Sequence, residues 1–472
     1  MKNFLTPPEA KPLKTKDEVD RLYPKMRLQV FLGIFFGYAA FYLVRKNFSL
    51  AMPILAETMD VSKTSLGFAL SLNAIAYGLS KFIMGGISDR SDARKFLPLG
   101  LLLASAAIIL AGTKLGLYNV VTMAICQFLI GWVGGMGWPP CGRVMTHWFS
   151  VRERGTKMSI WNVAHNVGGA ALGPITAFGF SMMLTFGYSK LASAQFGFFF
   201  LPAMIALLIA IIAFLLIRDN PQSCGLPTIE EHRNDYPVNY SKKHEEVLST
   251  KDIFFKYVFT NKILWFVAFA NVFVYMVRYG VLDWAPMYLQ QMKGYDIHES
   301  GWAYAFYELA AIPGTLICGW VSDKIFKGKR GITNVIFMGL TTLAVLVYWK
   351  NGQGGVVDTI IGLFTDNHQF IDNLALITIG FFIYGPIMLI GVQALDLSPK
   401  NAAGTSAGLT GFFGYFFGTA ILANSLLGYL IQADTTWEAY FVAIMASCIA
   451  AILLMIFISR KEYNLEREAA KK

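Results

Sequence analysis

Long apolar runs alternate with short polar stretches along nearly the whole chain. A run of roughly 20 apolar residues is what carries an α-helix through a bilayer core. About twelve such runs occur, near 27–52, 65–87, 96–112, 118–141, 157–182, 196–217, 262–290, 299–321, 331–349, 372–396, 403–431 and 436–459. None shows the residue-by-residue alternation of a barrel strand, and lipid cannot satisfy the edges of an open sheet. The pattern therefore predicts an all-α membrane protein with twelve transmembrane helices. The first 26 residues are polar and lack the early apolar core of a cleaved leader, so the first spanning helix is expected to remain in the fold.

The longest polar connection, 218–261, separates helices one to six from seven to twelve. The organisation expected is a polar segment 1–26, a six-helix bundle 27–217, a linker 218–261, a second bundle 262–460 and a tail 461–472. The two halves resemble each other. "YLVRK" at 42–46 matches "YMVRY" at 275–279, and "GGISDRSDARKF" at 85–96 resembles "GWVSDKIFKGKR" at 319–330. Asp89 and Asp323 are the matching acids of the second pair. A repeat this long implies duplicated bundles packed about a pseudo-symmetry axis, with a substrate site near mid-membrane.

Composition sharpens the class. The chain has 472 residues, 55% hydrophobic and only 15% charged, too apolar for an ordinary soluble domain. The net charge of +10 raises the possibility of nucleic acid, but its distribution argues against that partner. Of the 40 Lys and Arg, only Lys63, Lys114, Lys190, Lys293 and Lys350 fall in one set of loops, and four lie inside helices. The rest lie in the tails and in the opposite loops. Basic loops stay cytoplasmic, so both termini are expected in the cytoplasm. The five cysteines are scattered and match neither a disulfide framework nor metal spacing. No phosphate-cradling G-x-x-x-x-G-K-[ST] loop occurs. No nucleophile–His–acid set presents itself either, so neither enzyme activity, cofactor nor metal is expected.

The charges inside helices are Arg45, Lys46, Lys81 and Arg278, against the acids Asp283 and Glu308. A charge inside the bilayer costs at least about 2.5–3.5 kcal/mol and normally faces a cavity or a partner. Snorkelling to the interface would account for one arginine near a helix end. It accounts poorly for Arg45 and Arg278, which occupy matching places in the repeat, each three residues after a tyrosine. The surplus of two positive charges calls for an anion, and the guanidinium fork fits the oxygens of a phosphate dianion. Consecutive helical residues point about 100° apart. Arg45 is therefore assigned to the ligand and Lys46 to Asp283 as an interdomain pair, with Glu308 pairing Arg278 between turnovers.

In "SIWNVAHNVGG", Asn162, His165 and Asn166 share a helix face by spacing. His165 is either an interhelical hydrogen-bonding group or a titratable phosphate contact near pH ~6.5. Tyr38 and Tyr42 sit one turn apart, as do Tyr77 and Lys81, and Tyr275, Tyr384 and Tyr415 belong to the second half. Those flanking the arginines are candidates for ligand contact. "GWVGGMGWPPCGR" and "GLTGFFGYFFGTA" are read as packing and rocking elements, since small residues let helices approach.

Taken together, "IFFGYAAFYLVRKNFSLAMP", "GWPPCGR", "WNVAHNVGG", "RDNPQSCGLP", "NVFVYMVRYG", "AIPGTLICGWVSD" and "IYGPIMLIG" are similar to the organophosphate:phosphate antiporters of the major facilitator superfamily, over roughly 25–460. The resemblance implies exchange of glycerol-3-phosphate for inorganic phosphate across a bacterial inner membrane by a monomer, through a rocker-switch cycle. It implies phosphate binding by Arg45, Arg278, His165 and Lys81, and interdomain pairs Lys46–Asp283 and Arg278–Glu308. One departure is Gly134, where the family usually carries glutamine. The outer stretch 350–371 also runs longer than its relatives'. Hexose phosphate or phosphoglycerate as substrate, a membrane sensor of the same fold, and a proton-coupled symporter using Glu308 remain alternatives.

Overall fold

The computed structural model describes residues 4–88, 91–234, 259–326, 329–363, 365–396 and 408–469. Asp89 and the linker stretch 235–258 lie outside the described residues, as does the side chain of Asp323. Every regular element among the described residues is helical. In chain order these are α1 (Lys16–Leu43), α2 (Asn47–Met59), α3 (Lys63–Ser88), α4 (Ala93–Gly112), α5 (Val120–Gly134), α6 (Trp138–Trp148), α7 (Val151–Asn162), α8 (Ala164–Thr185), α9 (Lys190–Ala194), α10 (Leu201–Leu216) and α11 (Ile229–Arg233). They continue with α12 (Lys262–Met292), α13 (Ile297–Trp320), α14 (Arg330–Lys350), α15 (Val356–Gly362), α16 (His368–Asp396), α17 (Leu427–Ala433) and α18 (Glu438–Ala469). π-Helical turns occupy Gln195–Phe200, Val321–Ile325 and Gly414–Leu426.

Ten helical stretches among the described residues are long and apolar enough to cross a membrane. The expected runs near 65–87 and 299–321 form α3 and α13, of 26 and 24 residues, each long enough to span at about 1.5 Å per residue. Their outward faces carry large apolar side chains such as Phe68, Ile83, Trp302 and Leu316, which water would not tolerate in such density.

The chain divides into two units, residues 1–48 with 76–246 and residues 49–75 with 247–472. In the first, α1 packs against α8 and α10, and α4 against α5 and α10. In the second, α16 packs against α13 and α14, and α12 against α18 and the Gly414–Leu426 turns. The packing boundary departs from a linear division at 217, because residues 49–75 join the second unit. There the Lys63 N–H donates to Gln432 Oε1 at 2.9 Å, and Ser49 Oγ donates to Asp283 at 3.3 Å.

Several apolar runs are broken rather than continuous. The first ends as α1 at Leu43 and resumes as α2 at Asn47, so Arg45 and Lys46 sit in the break and not on one helix face. The expected 100° divergence between them therefore does not apply. Asn47 makes the break tolerable: its fully buried amide donates to Leu43 O and to Phe198 O, each at 2.8 Å. Carbonyls orphaned in an apolar interior would otherwise cost about 1–3 kcal/mol each.

Candidate functional site

In the first unit, the break between α1 and α2 presents Arg45 to α3. The Arg45 guanidinium is buried and lies 3.5 Å from the Tyr77 ring centroid and 5.5 Å from that of Tyr42. Its Nη1 donates to the Tyr42 hydroxyl at 3.4 Å. Tyr42 continues the cluster to His165, ring centroids 5.5 Å apart, and to Tyr38 at 5.6 Å. Tyr38 stacks on Trp161 at 4.8 Å, and the Trp161 indole donates to Ile34 O at 3.2 Å. The approach of α8 to α1 depends on Gly168, where a Cβ would fall 3.0 Å from the Cα of Ala39. Thus Arg45, Tyr38, Tyr42, Tyr77 and His165 come together from three helices and one break.

Two other expected members stand apart. Lys81 is exposed, its ammonium 5.8 Å from the Trp138 ring centroid. Asn162 ends α7 and is exposed, whereas Asn166, inside α8, is buried. The expected shared stripe is interrupted because the helix breaks at Val163, although the His165 ring nitrogen Nδ1 still meets the Asn162 carbonyl. Gly134 lies against the same cluster: a Cβ there would sit 3.5 Å from the Tyr77 ring, an ordinary contact. A longer side chain at 134 would reach toward the ring on which Arg45 rests.

In the second unit, the buried guanidinium of Arg278, on α12, lies 4.2 Å from the Tyr384 ring centroid and 4.7 Å from that of Tyr279. Its Nη2 donates to the Tyr384 hydroxyl at 2.9 Å, which in turn donates to Glu308 Oε2 at 2.8 Å. Sequence reasoning pairs Arg278 with Glu308, and the structure threads Tyr384 between them. Tyr307 closes the other side, donating to Arg278 O at 3.3 Å. The crossing of α13 and α16 that assembles this relay needs glycine at 380, where a Cβ would stand 3.0 Å from the Tyr307 Cα.

Tyr275 and Tyr415 pack edge to face with centroids 5.1 Å apart, and Tyr279 and Tyr415 approach through their hydroxyls at 3.4 Å. Gly414 and Gly418 press on α12: a Cβ at either would meet Tyr275 within 3.0 Å. The glycine-rich run is therefore a packing surface. Asp283, fully buried, accepts from Ser49. Lys46 is half-buried in the break after α1.

Tyr279, Tyr307, Trp161 and Asn47 belong to these clusters without having been singled out by the sequence. Tyr279 follows Arg278 directly in "YMVRY", a signal that adjacency supplied. Chemically, each cluster is a buried guanidinium faced by tyrosine rings and hydroxyls, an arrangement that preserves positive charge and surrounds it with donors suited to phosphate oxygens.

The Major Facilitator Superfamily model matches residues 34–423. A glycerol-3-phosphate transporter of Bacillus subtilis (strain 168) is 52% identical over 439 residues, 93% of either chain. A glycerol-3-phosphate transporter of Haemophilus influenzae is 48% identical over 457 residues, 94% of either chain. Among solved structures, a bacterial homolog of the human lysosomal transporter Spinster, inward-facing and unoccupied, aligns with a TM-score of 0.67 at 14% identity. That alignment covers 92% of this chain and 96% of the other, and at such identity it speaks to the fold alone.

Proposed function

The chain belongs to the Major Facilitator Superfamily, and from that premise we propose that it exchanges glycerol-3-phosphate for inorganic phosphate across a bacterial inner membrane. The names of its two close relatives support the substrate. The observation that carries the chemistry is Arg278, a buried cation on a membrane-length helix, bonded to Tyr384 and through it to Glu308. A phosphate dianion competes with Tyr384 for the guanidinium, and the relay re-forms when phosphate leaves. Arg45 is the repeat counterpart, on Tyr77 and Tyr42, and contributes the second guanidinium.

On this reading His165 and Lys81 are further phosphate contacts, and the tyrosines around the arginines orient the organic moiety. Access alternates by rocking of the two repeats, with both termini cytoplasmic. Counterflow into liposomes loaded with phosphate tests the proposal. The expected result is uptake of labelled glycerol-3-phosphate that requires internal phosphate and no proton gradient. Exchange of a hexose phosphate or phosphoglycerate in preference would reassign the substrate. Binding without flux would make the protein a sensor, and flux that collapses with the proton gradient would make it a symporter.

A further inference from the structure

The first unit contains a cavity of about 260 Å³ outside either arginine cluster, between α4 and α10. Leu99, Leu102, Ile211 and Phe214 wall it, with Phe4 and Lys95 at one end. Leu102, Ile211 and Phe214 are all exposed on two membrane-length helices, so this slot opens toward acyl chains. Lys95 lies seven residues before Leu102 on α4, which puts the slot's depth at about 10 Å from its charged end.

That end is basic. Lys95 Nζ donates to Phe4 O at 2.9 Å and stands 3.7 Å from Asp92. Arg94 Nε donates to Phe214 O at 3.1 Å, with its guanidinium 4.6 Å from the Phe214 ring centroid. Arg218 Nη1 donates to Leu215 O at 2.8 Å and Ile217 O at 2.7 Å. Two cations, Arg94 and Arg218, thus hold the carbonyl end of α10, and Lys95 lines the slot beside Phe214. Of the nearby acids, Asp92 faces Lys95, while Asp219 is held by Arg143 through two bonds of 3.0 Å. An apolar slot beneath a net positive rim matches one ligand chemistry, a fatty chain bearing an anionic head.

We propose that this slot is a binding site for an anionic phospholipid, with one acyl chain between α4 and α10 and the phosphate against Arg94, Lys95 and Arg218. A zwitterionic lipid brings the same chain without the net charge, and free phosphate brings the charge without the chain.

Native mass spectrometry of the full chain, titrated with dioleoylphosphatidylglycerol, dioleoylphosphatidylcholine or inorganic phosphate, tests this. One phosphatidylglycerol should be retained about tenfold more strongly than phosphatidylcholine. Leu102→Trp, a substitution on a lipid-facing surface that fills the slot, should lower that retention at least about fivefold at unchanged thermal stability. Arg94→Gln combined with Lys95→Gln should bring the two lipids within about twofold of each other. Equal retention of the two lipids by the unaltered chain overturns the proposal. So does full retention in Leu102→Trp, a preference that survives the double substitution, or displacement of phosphatidylglycerol by inorganic phosphate.

Discussion

A guanidinium lying on a tyrosine ring keeps its charge while gaining up to about 2 kcal/mol when desolvated. Arg45 on Tyr77 and Arg278 on Tyr384 are both held in this way. Lysine carries the same charge but neither the planar face nor the fork. Arg278→Lys is therefore expected to reduce counterflow at least about 100-fold, with the protein still folded by its thermal unfolding profile. Tyr384→Phe separates the relay from the clamp: the ring stays and the hydroxyl that joins Arg278 to Glu308 goes. A hydrogen bond to a charged group contributes about 1.5–3 kcal/mol, so a fall of about 10–100-fold in exchange is expected. Adding Glu308→Gln to Tyr384→Phe should cost less than the two separate losses combined, because both remove one shared link. Unchanged exchange in Tyr384→Phe would remove the relay from the cycle. The arginines were legible because a repeat marks them twice. Their partners were legible in part: Tyr42, Tyr77, Tyr384 and Glu308 stood among the candidates, and Tyr279 adjoins Arg278, but among 21 tyrosines only three-dimensional packing selects Tyr307 and places Tyr384 between Arg278 and Glu308.

At the scale of elements, the decisive events are breaks. The run 27–52 has neither proline nor glycine at 44–46, so it reads as one continuous helix. What ends α1 is tertiary: the Asn47 amide, fully buried, holds Leu43 O and Phe198 O. Asn47→Leu should leave both carbonyls without that donor, at about 1–3 kcal/mol each. The expected result is a Tm at least about 3 °C lower and impaired exchange, since the break is what orients Arg45 toward Tyr77. An unaltered Tm would show that the break is held by other contacts. The break between α5 and α6 falls in the glycines of "GGMGWPP", inside the run 118–141 that the apolar pattern reads as one helix. The one at Val163 and the π-helical turns from Gly414 were invisible, because neither changes the apolar periodicity enough to register. Helix existence was thus legible almost throughout, and helix continuity was not.

Across the whole chain, residues 4–26 and 218–234 read as polar segments outside the bundles, yet both are structured parts of the first unit. Lys11 N donates to Gln222 O and Lys14 N to Gly225 O, each at 2.9 Å. The Tyr23 hydroxyl donates to Pro227 O at 3.2 Å, and its ring stacks on His232 with centroids 4.0 Å apart. Arg27 pairs with Glu153 beside them. Burial, then the neighbouring Arg233 and Arg27, push the His232 imidazole below its usual value, while Asp20 opposes them. The folded state therefore holds fewer protons on His232 than the unfolded chain, and stability must rise with pH across this titration. The contribution is fully present above the unfolded value near ~6.5 and is lost as pH falls below it toward the folded value. Lowering the pH from about 7.5 to about 5.5 should accordingly lower the Tm of the intact protein more than that of His232→Phe, which keeps a stacking ring without the titration. Equal losses in the two proteins would mean that His232 does not report on this clasp. The charge reading of the chain placed these segments on one side of the membrane, but the apolar pattern could not show their contacts, which run largely to backbone carbonyls some 200 positions away, as in the Tyr23 bond to Pro227 O.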